Sequence, residues 1–226
     1  MIFKQLFDKT SSTYTYLIAS KKGREALIID PVLDNINDYI KILDELDLKL
    51  VKVIDTHIHA DHITAAAKLN KETNCTTIMG EHTPADTVHM KVKDEEIIKV
   101  DKLRFKAIYT PGHTSDSYSF LMDEYLFSGD TLLINGTGRT DFQNGSSKEA
   151  YNSIFNRLLK LPEKTLLYPA HDYNGKKVSS IGQEKKFNPR LQVNSINEYE
   201  EIMNNLSLPK PKMMDVNVAR NIKLGA

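Results

Sequence analysis

Apolar positions along this chain follow two rhythms that alternate from end to end. Ile2–Phe7, Tyr14–Ala19 and Ala26–Asp30 are short runs rich in β-branched and aromatic residues, parted by polar turns, and they predict three strands. Pro31 ends the third, because its ring removes the donor that a ladder needs. The period then changes. Within Asn35–Leu46 the apolar residues Ile36, Ile40, Leu43 and Leu46 share one helical face. Leu50–Ile54 reads as a buried strand, Ile63–Thr73 as an Ala-rich helix and Thr76–Met79 as another strand. Glu95–Val100, Leu103–Tyr109, Tyr118–Leu121, Tyr125–Phe127 and Leu166–Tyr168 predict further strands. Ser147–Leu161 predicts a helix, with Ser146 or Ser147 as its cap and Glu149 in its first turn, and Asn194–Leu206 predicts a second. No repeat or low-complexity linker interrupts the alternation, so the expected class is a layered α/β domain.

Composition narrows this further. With 226 residues the chain suits one large domain, and such a chain buries roughly 70% of its unfolded surface without help from disulfides or structural zinc. The expected organisation is a single domain over 1–226, in which 172–226 is a short C-terminal extension contributing substrate contacts. One Cys excludes an internal disulfide framework and a thiolate zinc cluster, and it suits a reducing compartment. Thirty basic and thirty acidic residues cancel, which argues against nucleic acid as a partner. No apolar run approaches the about 18 residues of a membrane span, and residues 1–20 lack a charged-then-apolar signal layout. A cytoplasmic protein with no membrane partner is expected. The neutral total is uneven: residues 171–226 hold nine Lys/Arg against six Asp/Glu, a surplus of three balanced by 1–170. A basic end is ordinarily a solvated face, but it also suits an anionic small molecule.

The chemistry concentrates where the predicted strands end. Val51–Ile54 runs directly into Asp55-Thr56-His57-Ile58-His59-Ala60-Asp61-His62, three His and an Asp within six residues. A lone His is usually a satisfied core or surface residue. Several imidazoles and a carboxylate crowded into one turn are costly without a cation to organise them, and imidazole with carboxylate suits Zn, Fe or Mn. Three more strands end in the same way: Thr110-Pro111-Gly112-His113, Ser128-Gly129-Asp130 and Pro169-Ala170-His171. Each places a turn or small residue before the candidate ligand, which lets the backbone approach a crowded site. His82 and His89 fall outside these segments, in a polar stretch, and are expected at the surface. Cys75, at the start of a predicted strand, is expected to pack as a small apolar residue.

The H-x-H-x-D-H run at 57–62, followed in order by His113, Asp130 and His171, resembles the metallo-β-lactamase fold superfamily. The resemblance implies a four-layer αββα sandwich with a metal site along one edge of two sheets. In dinuclear members His57, His59 and His113 would form one site and Asp61, His62 and His171 the other, bridged by Asp130. Gly138-Arg139-Thr140-Asp141-Phe142-Gln143, Pro169-Ala170-His171-Asp172-Tyr173, Asn188-Pro189-Arg190 and Leu206-Ser207-Leu208-Pro209-Lys210-Pro211 make the chain similar to the glutathione-dependent persulfide dioxygenases, from the N-terminus to near residue 220. That resemblance implies one non-haem Fe(II) per chain, held by His57, His113 and Asp130, which would also be the catalytic centre. His59, Asp61, His62 and His171 would then surround it, or hold a second metal. Two His and one carboxylate leave coordination positions open for a substrate sulfur and O₂. The same donors accept Zn, so a purified sample could carry zinc.

The implied reaction oxidises glutathione persulfide with O₂ and water to glutathione and sulfite. Tyr173 and Arg190 match substrate-contacting positions of glutathione-using members, and a guanidinium suits a tripeptide carboxylate. Arg139 and Asp141 are expected to form an ion pair that fixes their loop, and Asp55 and Thr56 to hydrogen-bond ligand imidazoles. The family also implies a homodimer. The alternative is a thioester hydrolase of the glyoxalase II type with a dinuclear site, though that family usually carries a longer helical C-terminal domain than the 55 residues after His171. A binding protein with a vestigial metal site is a third reading, disfavoured because every expected ligand is present.

Overall fold

A computed structural model describes residues 1–226. The first sheet contains β1 (Ile2–Asp8), β2 (Thr13–Ala19), β3 (Glu25–Ile29), β4 (Lys49–Ile54), β5 (Thr76–Gly80) and β6 (Met90–Val92), in that spatial order. The first three strands are antiparallel and the rest join in parallel. Parallel neighbours need crossovers, supplied by helix α1 (Ile36–Glu45) between β3 and β4 and α2 (Ala66–Thr73) between β4 and β5.

The second sheet contains β7 (Ile97–Val100), β8 (Leu103–Tyr109), β9 (Tyr118–Met122) and β10 (Tyr125–Phe127). After a small hairpin, β11 (Leu132–Leu133) with β12 (Gly136–Thr137), comes helix α3 (Ser147–Asn156). Then β13 (Leu166–Tyr168) pairs in parallel with β10, and β14 (Ser179–Ser180) closes the edge in the order β14-β13-β10-β9-β8-β7. Helices α4 (Ile181–Phe187), α5 (Ile196–Asn204) and α6 (Met214–Asn221) complete the chain.

Strand parity explains the layers. All of β2 is buried, and its residues divide by alternation. Tyr14, Tyr16 and Ile18 enter the core between the sheets, while Leu17 and Ala19 face α1 and α2. In β4 the parity breaks: Leu50 and Val53 share the helix side and Ile54 enters the inter-sheet core, matching a register shift beside Ala26 and Leu27. A third core joins the far side of the second sheet to α3, α4 and α5 through Ile154, Leu158, Leu167, Ile181 and Tyr199. Helix, sheet, sheet and helix layers follow, the expected αββα sandwich.

Several boundaries differ from the sequence expectation for local reasons. The helix after β4 starts at Ala66, not Ile63, because Thr64 bridges Val32 and the Ala65 amide donates to Pro31. Helix α3 starts at the expected cap, Ser146, whose hydroxyl accepts from Glu149 N. It stops at Asn156, not Leu161: a 3-10 turn at Leu158–Lys160 follows, and Pro162 holds Leu161 extended. Helices α4 and α6 were not expected. Their buried positions include Glu184, Asn217 and Asn221, polar residues that leave no apolar stripe to read. Cys75 is buried and unpaired, and His82 and His89 are exposed, as expected.

Candidate metal centre

The ends of β4, β8, β10 and β13 all reach one edge of the sandwich, and each delivers a candidate side chain. The loop after β4 carries His57, His59, Asp61 and His62; β8 leads to His113, β10 to Asp130 and β13 to His171. Gly129 is required before Asp130: its φ is +54°, and a Cβ there would lie 2.7 Å from Thr56 Oγ1.

His57, His113 and Asp130 bring one donor atom each within 4.8 Å of one another. Each imidazole is oriented from behind. His113 Nδ1 donates to the Arg139 carbonyl at 2.7 Å, which directs Nε2 towards Asp130 Oδ2, 3.6 Å away. Thr56 Oγ1 lies 3.0 Å from His57 Nδ1, leaving Nε2 available, and Thr56 is itself tied to the Asp30 carboxylate. Burial, with His59 and His113 nearby, pushes the His57 imidazole well below its usual pKa, so it is a neutral lone-pair donor. Burial opposes ionisation of Asp130, but His171, His113 and His57 outweigh it and keep the carboxylate charged. Two imidazoles and one anionic carboxylate are a donor set that fits a divalent cation.

The remaining candidates form a second tier. His171 lies between two carboxylates, with Nδ1 2.6 Å from Asp130 Oδ1 and Nε2 2.8 Å from Asp61 Oδ2. Burial disfavours its charge, yet the two acids raise its pKa well above normal, so it is an imidazolium. His59, Asp61 and His62 form another compact donor group, in which His59 Nδ1 and His62 Nε2 are buried without partners. His59 Nε2 bonds Asp30 at 3.1 Å, with Asp55 3.9 Å away.

Arg139 and Asp141 form the expected ion pair, bidentate at 2.6 and 2.7 Å, with the guanidinium over Phe142. Tyr173 is 71% exposed, its ring parallel to the His171 imidazole. Arg190 is half-buried and does not touch the triad. Its guanidinium donates to Thr137 O and, at 3.3 Å, to Thr137 Oγ1, and burial lowers its pKa with no carboxylate to balance the charge.

Sequence reasoning missed four supporting groups. Thr13 Oγ1 lies 3.0 Å from His171 Nε2 and 3.1 Å from Asp61 Oδ2. Asp30 holds Thr56 and His59. Asp116 accepts the Ile58 amide, and Gln143 donates to the Ile58 carbonyl. Asp30 alone carried a readable signal: an acid directly after a strand and before a proline.

The description of the metallo-beta-lactamase superfamily matches residues 9–89 and 90–171, and the chain belongs to that superfamily. The human protein described as "Persulfide dioxygenase ETHE1, mitochondrial" is 37% identical over all of this chain and 89% of its own length. The crystal structure of ETHE1 from Myxococcus xanthus superposes with a TM-score of 0.97 at 46% identity, covering both chains completely. A probable hydroxyacylglutathione hydrolase of Schizosaccharomyces pombe is 30% identical over 91% of each chain. Within the superfamily, this chain is a member of the ETHE1 family of persulfide dioxygenases.

Proposed function

We propose that this persulfide dioxygenase oxidises glutathione persulfide at a single iron held by His57, His113 and Asp130. The observation that carries the single-metal reading is the engagement of His171. Both of its ring nitrogens are within hydrogen-bond distance of carboxylates, Nδ1 of Asp130 and Nε2 of Asp61, so neither is turned free towards a second metal. Bound iron would supply a seat for the persulfide sulfur and activate O₂ beside it.

The balance is RSSH + O₂ + H₂O → RSH + SO₃²⁻ + 2 H⁺. The terminal sulfur gains three oxygens, its S–S bond breaks and the thiol departs. O₂ is the oxidant. The protein's own part is placement. Asp130 stays anionic beside the His171 imidazolium, and Arg139 fixes His113 through its carbonyl. Arg190, desolvated and lacking a carboxylate, suits a carboxylate of the tripeptide, and exposed Tyr173 lies parallel to the His171 ring. A cytoplasmic location belongs to the same proposal, and the free thiol of Cys75 suits a reducing compartment.

Oxygen uptake by the iron-loaded protein with glutathione persulfide, together with a metal count, tests this. One iron per chain and O₂-dependent sulfite are expected. Hydrolysis of S-lactoylglutathione without O₂ uptake, by protein holding two metals, would overturn it. That second reading draws on the unpartnered nitrogens of His59 and His62 beside Asp61.

A further inference from the structure

The loop that carries His57, His59 and His62 has no ladder of its own, so its buried carbonyls must find partners elsewhere. Three of them find α6. Asn221 Nδ2 donates to the carbonyls of His59 and His62, both at 2.8 Å, while its Oδ1 accepts the Thr64 amide at 2.9 Å. Asn217, one turn earlier on the same face, donates to the Ala60 carbonyl at 3.0 Å. Asn221 is 1% exposed, and both its donor hydrogens and its carbonyl oxygen are engaged. A helix normally turns apolar residues inward. Beside Val218 and Ile222, which pack on the core, this one turns two amides inward, and their side-chain hydrogen bonds all go to the ligand loop.

The same C-terminal arm is fastened at both ends. Leu224 enters the core beneath the first sheet, and its carbonyl accepts the Ala67 amide. Upstream, the Arg139 guanidinium donates to the carbonyls of Pro209 and Leu208, while the Arg139 carbonyl accepts from His113 Nδ1. The arm therefore braces the 57–64 loop directly and reaches His113 through Arg139. Inside the site the imidazoles are packed in a row: His62 against His59 at 4.4 Å between centroids, His59 against His57 at 4.2 Å, and His57 against His113 at 5.0 Å. Fixing the backbone at 59, 60 and 62 fixes the far end of that row, and with it the tilt of His57.

We propose that Asn221 and Asn217 are positioning residues for the metal centre, holding the 57–64 loop in the shape that presents His57 to the metal. The inference rests on the reading of His57, His113 and Asp130 as ligands. Helix α6 lies in the extension expected to touch substrate, yet its inward face braces the ligand loop.

The test compares wild type with Asn221→Ala, Asn221→Asp, Asn217→Ala and the ligand variant His113→Ala. Asn221→Asp keeps the acceptor for Thr64 but loses both donors, and Asn217→Ala removes one hydrogen bond and should fold normally. Affinity for Zn(II), and for Fe(II) under anaerobic conditions, is measured by chelator competition, and the visible spectrum of the Co(II)-loaded protein reports ligand geometry. Both Asn221 variants should bind metal about tenfold or more weakly, in the range found when groups orienting a ligand are removed, and Asn217→Ala, which loses a single hydrogen bond, several-fold. The Co(II) bands should shift, and kcat should fall with KM little changed. A purely structural helix would lower the melting temperature and leave metal affinity and spectrum alone. If folded Asn221→Asp and Asn217→Ala bind metal within twofold of wild type with the same spectrum, the proposal is wrong, and these two decide the matter should Asn221→Ala fail to fold. If wild type binds no metal, or His113→Ala binds as well as wild type, the ligand reading fails and this inference falls with it.

Discussion

His171 shows how one side chain's partners define its role. As an imidazolium between Asp130 and Asp61 it compensates two carboxylates and sets the orientation of one candidate ligand. Replacing it with Gln should weaken metal binding and reduce turnover by about 10- to 100-fold, the usual cost of losing a group that orients a ligand. Metal analysis and O₂ uptake measure the two effects separately. Arg190 should behave differently. Arg190→Ala removes a charge-assisted contact of about 1.5–3 kcal/mol, so KM for glutathione persulfide should rise roughly 10- to 100-fold while kcat changes little. An unchanged KM would show that the tripeptide carboxylate binds elsewhere. The candidate metal-ligating side chains that the fold brings together were legible in the sequence because chemistry-bearing residues followed apolar runs and turn residues. Thr13 and Asp116 were not, because a lone Thr or Asp near a strand end looks like any turn residue until its partners are known.

At the scale of elements, legibility tracked what each element buries. Strands β2, β3, β8 and β9 bury short runs rich in apolar side chains, and helix α1 does so along one stripe, so pattern alone located them. Helix α4 was invisible because its inward face centres on Glu184, which is fully buried. That carboxylate accepts from Ser179 Oγ, from Asn188 Nδ2 at 2.8 Å and from the Asn135 amide at 2.8 Å. It thereby ties α4 to the β11–β12 hairpin, where Arg190 docks on Thr137. Glu184→Ala should lower unfolding free energy by about 2–4 kcal/mol in urea melts, because three donors lose a buried acceptor. Gly112 makes a comparable demand on α3. Its φ is +138°, and a Cβ there would overlap the backbone of Ala150. Gly112→Ala should destabilise by about 2 kcal/mol or more and push α3 away from the His113 loop, which hydrogen exchange of the α3 amides would detect.

For the molecule as a whole, the site edge imposes a pH-dependent cost that the fold must carry. Asp55 sits inside it, 3% exposed, accepting Thr64 Oγ1 at 2.9 Å with both oxygens. Burial pushes its carboxyl up to about 7, although His59 works in the opposite direction. In the unfolded chain the same group titrates near about 3.9. Below that value both states are protonated and the group is neutral to stability. Between about pH 4 and pH 7 the unfolded state releases its proton while the folded state retains it, so unfolding gains and the fold loses. Above about 7 the penalty is constant. Other groups at this edge, His171 and Asp130 among them, titrate with their own signs, so total stability against pH is a composite. The difference between wild type and Asp55→Asn isolates the one contribution. In metal-free protein, wild type should lose stability relative to Asp55→Asn by an amount on the order of 3 kcal/mol as pH rises from 4.5 to 7.5. Parallel urea-melt profiles for the two proteins across that range would mean that Asp55 ionises normally despite its burial. The direction matters for the metal centre. A carboxyl held protonated up to about 7 leaves the Asp30 carboxylate as the partner that His59 bonds, while Asp61 and Asp130, kept charged by their histidine neighbours, lie beside the donors that would hold the metal.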